Sequence, residues 1–360
     1  MTQTILASLA RIADFERNPY DVRALDKREW AAGDYVLAEV CGTRSVLYAV
    51  ETSDGTMVPV QPGDQVIGVF GHREGTLEGV GSYVDVEKGQ LHALTSAGLL
   101  GAFTSFSILL PKPMSLKYRG NLIRDGRKVT MSQFAIRSDS YDYNVPTIVI
   151  IGTSMSAGKT VTGRRACEIL STAGLTVFGT KLTGAGRYRD IGSFKKSGAA
   201  KVYDFVDAGL PSSLVPEAEF RAAIRPLLGH ISAAHPDVVV VEAGASPLEP
   251  YNVGAAMDEL GDNICCMILA ASDPFAVVGV IKAFGVQPDL VTGLATSTSA
   301  AIRLVKELSG LPALNVINRE TMPAFREFLG QKLGLTFTAT GPVRQDPADA
   351  GKVRQRYQHN

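Results

Sequence analysis

The stretch Thr147-Ile-Val-Ile-Ile-Gly-Thr-Ser-Met-Ser-Ala-Gly-Lys-Thr160, running on into Val161-Thr-Gly-Arg-Arg-Ala-Cys-Glu-Ile-Leu170, decides the fold. It reads as a buried strand, a glycine-bounded loop and a helix. The loop ends in Gly158-Lys159-Thr160, the chemical core of a phosphate-binding loop, where backbone N–H groups and a helix N-terminus meet anionic phosphates. Gly152, Thr153, Ser154, Met155, Ser156, Ala157, Gly158, Lys159, Thr160 and Val161 form the expected nucleotide-binding set. Lys159 is expected to reach the β/γ-phosphates, and the Thr160 hydroxyl to hold magnesium. The usual spacing places a glycine at 153; here Thr153 stands there and the glycine is Gly152, giving G-x5-G-K-T. The alternative is an ordinary strand-to-helix turn, but a GKT preceded by an apolar run and opening a helix is rare by chance.

Working outward, apolar runs of strand length fall at 147–151, 175–180, 237–242, 264–270, 289–294 and 313–317. Helical patterns lie between them at 159–173, 216–234, 274–285, 298–309 and 320–333. This alternation predicts an α/β domain over 147–338 with a mainly parallel sheet covered on both faces. Ligands of such sheets gather at the C-terminal ends of the strands. The residue just past each strand is therefore a candidate.

Two such residues carry chemistry, and an acid that lies between them in the chain joins them. Lys181 follows the run ending at Thr180 and is expected to stabilise charge on a transferring phosphoryl group. Glu242 follows four valines; an acid at the end of so buried a strand is costly without a partner, and magnesium or its water is the natural one, the alternative being a helix-capping or salt-bridged acid. Asp204, in Val202-Tyr-Asp-Phe-Val206, is the expected third metal ligand, with Asp190 as the other possibility. Catalytic roles thus fall to Lys159, Lys181 and Glu242, and metal ligation to Thr160, Asp204 and Glu242. Arg187 and Arg189 sit where they could bind a substrate carboxylate or phosphate, or simply be solvated. The guanine signature Asn-Lys-x-Asp is absent, which favours ATP.

Before residue 137 the character changes. Short β-like runs at 35–40, 45–50, 57–60 and 65–70 are separated by turn signals, with Asp125-Gly126 as the turn of a last hairpin. This predicts a small β-rich barrel or sandwich domain over 1–136, opened by a short helix at 3–15 and joined by a polar linker at 137–146. Residues 339–360 form a polar tail. His72 and His92 are isolated and read as solvated or core histidines.

Composition narrows the function. A chain of 360 residues predicts about two domains. Lys+Arg and Asp+Glu both number 36, so no global field draws it to nucleic acid or anionic lipid. No apolar run reaches the ~20 residues needed to span a membrane, and the N-terminus lacks the basic flank of a signal peptide. The four cysteines form no CxxC or metal-ligand spacing and fit a reduced, cytoplasmic protein.

The region 147–335 resembles the dethiobiotin synthetase, cobyrinate amidase and MinD/ParA branch of P-loop proteins. The likeness rests on Gly152-Thr153-x4-Gly158-Lys159-Thr160, on Lys181, on a following acid and on Glu242-Ala-Gly244. It looks closest to a little-characterised P-loop family that includes candidate D-glutamate N-acetyltransferases. Asp204-Phe-Val206 and Glu242-Ala-Gly-Ala-Ser-Pro-Leu-Glu-Pro250 match that family's motifs, except that Ala243 stands where glycine is usual. The resemblance implies a Mg–ATP-dependent phosphotransferase or ligase that phosphorylates or activates a small acidic substrate, a carboxylate or carbamate, working as a homodimer. Two rivals follow from the same resemblance. One is an acetyl-CoA-dependent N-acyltransferase of an amino acid. The other is a MinD/ParA-like switch, disfavoured because no second lysine stands at Ser154 or Met155.

Overall fold

The computed structural model describes residues 3–338 and 341–344. The chain divides into two compact units. The first comprises Met1–Arg137 with two later segments, Gly184–Gly192 and Asp204–Pro216; the second takes Ser138–Thr183, Ser193–Tyr203 and the chain from Glu217 on.

The first unit is a closed barrel. Strand Gln65–Phe70 pairs with Tyr35–Val40, which pairs with Ser115–Arg124, then Gln90–Ala93, then Leu99–Phe106, which returns to Gln65–Phe70. Closure through Val69 and Phe70 leaves only the start of Gln65–Phe70, at Gln65–Ile67, as an edge. Alternate residues, including Val36, Ala38, Val66, Leu91, Leu100 and Leu116, fill the interior. Of the two expected architectures, barrel and sandwich, the ring of ladders selects the barrel. The Asp125-Gly126 turn forms as expected, with φ of 50° and 74°, joining Ile123 and Arg124 to Lys128 and Arg127. The helix expected at 3–15 does not form. Thr4–Leu6 is instead a strand parallel to Gln65–Ile67, followed by a 3-10 turn at Ser8–Ala10. So short an apolar run has no decisive period, and the sheet edge captures it.

The second unit carries a six-stranded sheet in the order Lys201–Asp204, Val177–Thr183, Val238–Ala243, Thr147–Gly152, Ile264–Ala270, Leu290–Thr292. The ladders from Val177–Thr183 through Leu290–Thr292 run parallel. Ile148, Ile150, Val238, Val240, Cys266 and Ile268 share one core. Their neighbours Val149, Ile151, Val239, Val241, Met267 and Leu269 are equally buried, so both faces are covered.

The helices are α1 (Lys159–Thr172), α2 (Tyr188–Lys196), α3 (Glu217–Ala233), α4 (Val253–Leu260), α5 (Pro274–Phe284), α6 (Ser299–Ser309) and α7 (Met322–Leu333). α5 and α6 begin with side-chain caps. Asp273 accepts from the Phe275 and Ala276 N–H groups at 2.9 Å each, and Thr298 from Ala301 N–H at 3.1 Å. The strand expected at 313–317 reduces to a single bridge, Ala313 to Val291. Beyond it the chain turns back on itself, Val316 N–H donating to Leu314 O at 3.1 Å, so the ladder stops. Gly341–Arg344, expected within the polar tail, pairs with Leu335–Thr338; the tail from 345 lies outside the described residues. No helix among the described residues is long and apolar enough to cross a membrane.

Candidate functional site

Strand register assembles the site. Ile150 lies opposite Glu242, and Glu242 opposite Lys181, across three adjacent parallel strands. The ends of these strands therefore open beside the loop that follows Gly152. That loop is pinned to the neighbouring strand: Thr153 N–H donates to Ala270 O at 3.1 Å, and Thr153 Oγ1 accepts from Ser272 N–H at 2.9 Å. Ala157 is fully buried, Ser154 and Met155 are half-buried, and Ser156 is exposed. Gly158 caps α1 at φ 108°.

Lys159 is 3% exposed and folds back over the loop, donating to Ser154 O at 2.6 Å. Gly152 makes room for it: a Cβ there would lie 2.8 Å from Lys159 Cγ, Cδ and Nζ. The G-x5-G spacing thus gives the lysine stem its channel.

Glu242 is 3% exposed and Lys181 7%. Thr160 Oγ1 donates to Glu242 Oε2 at 2.9 Å, and Lys181 Nζ lies 3.6 Å from Glu242 Oε1. A hydroxyl, a carboxylate and an ammonium therefore meet at the N-terminus of α1. The hydroxyl and carboxylate are hard oxygen donors of the kind that hold Mg²⁺, which usually takes one or two protein ligands and fills its shell with water and phosphate oxygens. Among the described residues no three His, Cys, Asp or Glu side chains converge as a metal cage.

Asp204, the expected third ligand, belongs to the first unit. It is fully buried, and its Oδ1 accepts from Arg11 Nη2 at 2.5 Å and from Val206 N–H at 2.8 Å. Its Oδ2 has no hydrogen-bond partner among the described residues. Arg11 also reaches Asp207 Oδ2 at 3.2 Å. Burial works against charge on Arg11, but the two carboxylates outweigh it and hold the guanidinium firmly protonated. Burial pushes Asp207 up to about 6 against the pull of Arg11. Thr160 and Glu242 are thus brought together, while Asp204 has a guanidinium partner.

Arg187, Arg189 and Asp190 also lie in the first unit. There the start of α2 is held by Glu51, which accepts from Tyr188 N–H at 2.7 Å, Arg189 N–H at 3.4 Å and Ser8 Oγ at 2.6 Å. Glu51 and Arg11 escaped the sequence reading. The only signal was an acid at the end of an apolar run, Ala49-Val-Glu51, the same cue that singled out Glu242.

The cysteines and histidines keep the structural reading. Burial pushes the Cys167 and Cys265 thiols up to about 12 and raises Cys266 well above its ordinary value, so no reactive thiolate arises there. His92 Nδ1 accepts from Phe103 N–H at 3.1 Å, and His72 Nδ1 meets Ser82 Oγ at 2.8 Å.

No family model and no curated protein matches the chain. Solved structures do. The hydrogenase maturation factor HypB from Archaeoglobus fulgidus is 12% identical, the match covering 52% of this chain and 90% of that one, with a TM-score of 0.37. HypB from Helicobacter pylori is 14% identical over 52% and 87%, TM-score 0.35. The cell division protein FtsY from Thermotoga maritima is 17% identical over 61% and 72%, TM-score 0.31. At these values the likeness carries no argument about the site, which rests on its own geometry. A buried parallel strand, a loop closed by Gly158-Lys159-Thr160 and the helix α1 give the second unit a P-loop NTPase fold.

Proposed function

We propose that the chain is a Mg–ATP-dependent enzyme of the dethiobiotin synthetase-like kind, which phosphorylates or activates a small carboxylate or carbamate. The observation that carries this reading is the shared carboxylate: Glu242 holds Thr160 Oγ1 at 2.9 Å and Lys181 Nζ at 3.6 Å. Lys181 supplies a second cation, from the strand that lies beside Glu242. Lys159 exchanges the Ser154 carbonyl for phosphate oxygens, and the N–H groups opening α1 donate to the same oxygens. A magnesium ion brought with the nucleotide would supply neutralisation of phosphate charge. Thr160 and Glu242 would hold it. Phosphoryl transfer needs positioning and charge neutralisation more than a protein nucleophile, and the two lysines provide both. The G-x5-G-K-T spacing supports this branch, and a cytoplasmic homodimer is proposed with it.

The test is ADP release from ATP, with GTP in parallel, across a panel of small amino acids, dicarboxylates and carbamate-forming amines. Acid-dependent ADP release should fall about 10²–10³-fold in Lys181→Ala, the usual cost of removing one charge-stabilising donor. Acetyl-CoA consumption without nucleotide turnover would replace this reading by the acyltransferase.

A further inference from the structure

A pocket of about 350 Å³ opens along α1 from Arg164 to Thr172. Its walls are α1 itself, the turn after α2 and the lead-in to α7, all within the second unit. Four cations line it, Arg164, Arg165, Lys196 and Arg319, against one carboxylate, Glu168.

That carboxylate is already used: Arg165 Nη1 donates to Glu168 Oε2 at 2.8 Å. Arg165 Nε is buried and has no hydrogen-bond partner among the described residues. The side chains of Arg164, Lys196 and Arg319 are exposed. None of them appears in an ion pair among the described residues. Like charges gathered without counter-charge repel, and a buried N–H without an acceptor carries its desolvation penalty. A bound anion would relieve both.

We propose that this pocket is a second anion site, separate from the phosphate loop, for a compact polyanion bearing phosphate or carboxylate groups. Planar guanidinium forks suit bidentate oxygen pairs, which both groups offer. The volume stands near the lower end of the ~300–1,000 Å³ typical of small-molecule pockets, so the ligand is smaller than a dinucleotide. Glu168 stands nine residues beyond Lys159, a rise of about 13 Å along one helix, so occupancy would bear on the same rigid element that presents Lys159 and Thr160.

The experiment is calorimetric titration of the full chain carrying Lys159→Ala with pyrophosphate and, separately, citrate. The substitution disables the phosphate loop, so binding there is not counted. One equivalent of either anion should bind, and the better of the two identifies the group preferred. Adding Arg164→Ala and Arg319→Ala should weaken it at least tenfold, with an unchanged thermal midpoint because both side chains are exposed. Lys196→Ala gives an independent reading and should weaken it severalfold. Absence of binding to Lys159→Ala, or binding indifferent to all three substitutions, overturns the proposal.

Discussion

Replacing Glu242 by glutamine keeps the shape of the side chain and removes its charge. Two consequences of opposite sign follow. Lys181, 7% exposed, loses a carboxylate 3.6 Å away. At an effective dielectric constant of about 20 that attraction is about 5 kcal/mol before solvation. Breaking one side of a buried pair usually costs about 3–5 kcal/mol, and the contact here is longer than an ideal ion pair, so about 2–3 kcal/mol is expected. For a unit of this size that lowers the thermal midpoint by about 5–10 °C. The second consequence concerns nucleotide. Without magnesium, a site with one negative charge fewer should bind ATP more tightly than the wild type. With magnesium, the gain that the wild type shows should disappear. The assay is titration of ATP with and without magnesium, beside thermal unfolding of the same samples. Lys181→Met added to Glu242→Gln should recover part of the lost stability, since the buried ammonium is then removed together with its carboxylate. A Glu242→Gln protein with wild-type midpoint and wild-type magnesium dependence would refute the reasoning.

Gly293 has φ 88°, and a Cβ there would lie 2.2 Å from Ala157 O; Gly293→Ala should displace the phosphate loop and weaken nucleotide binding at least tenfold while circular dichroism stays unchanged. Phe194 is fully buried against Gly163 of α1 and Gly179; Phe194→Ala should cost about 3–5 kcal/mol in chemical denaturation, and a loss under 1 kcal/mol would contradict that packing. Asp207 is raised from 3.8 to about 6, so the fold favours its protonated form. Its contribution is present below its unfolded value and is lost as pH rises through about 6. The wild-type midpoint, relative to that of Asp207→Asn, should therefore fall between pH 4 and 6.5, and parallel curves would exclude the effect.

Elements whose cause is local were readable in the sequence. The strand–loop–helix at 147–172, the capped starts of α5 and α6 and the Asp125-Gly126 turn each depend on residues within a few positions. Lys181 and Glu242 were readable too, because a charge that closes a buried apolar run is costly unless a partner or a ligand meets it. What depends on distant partners was not. Thr4–Leu6 became a strand only because Gln65–Phe70 offered an edge. The barrel closes through ladders that no short-range pattern encodes. Asp204 read as a metal ligand from its apolar surroundings, whereas its partner Arg11 stands 193 residues away in sequence. The segments 184–192 and 204–216 belong to the first unit, although their pattern continues that of the second.

The most direct measurement is calorimetric titration of the purified protein with ATP, GTP and acetyl-CoA, each with and without magnesium, on wild type and on Lys159→Ala. The account predicts magnesium-dependent ATP binding at one site per chain, lost in Lys159→Ala because that ammonium, released from Ser154 O, is what meets the phosphates. Acetyl-CoA binding with no nucleotide binding, or ATP binding untouched by Lys159→Ala, would contradict it.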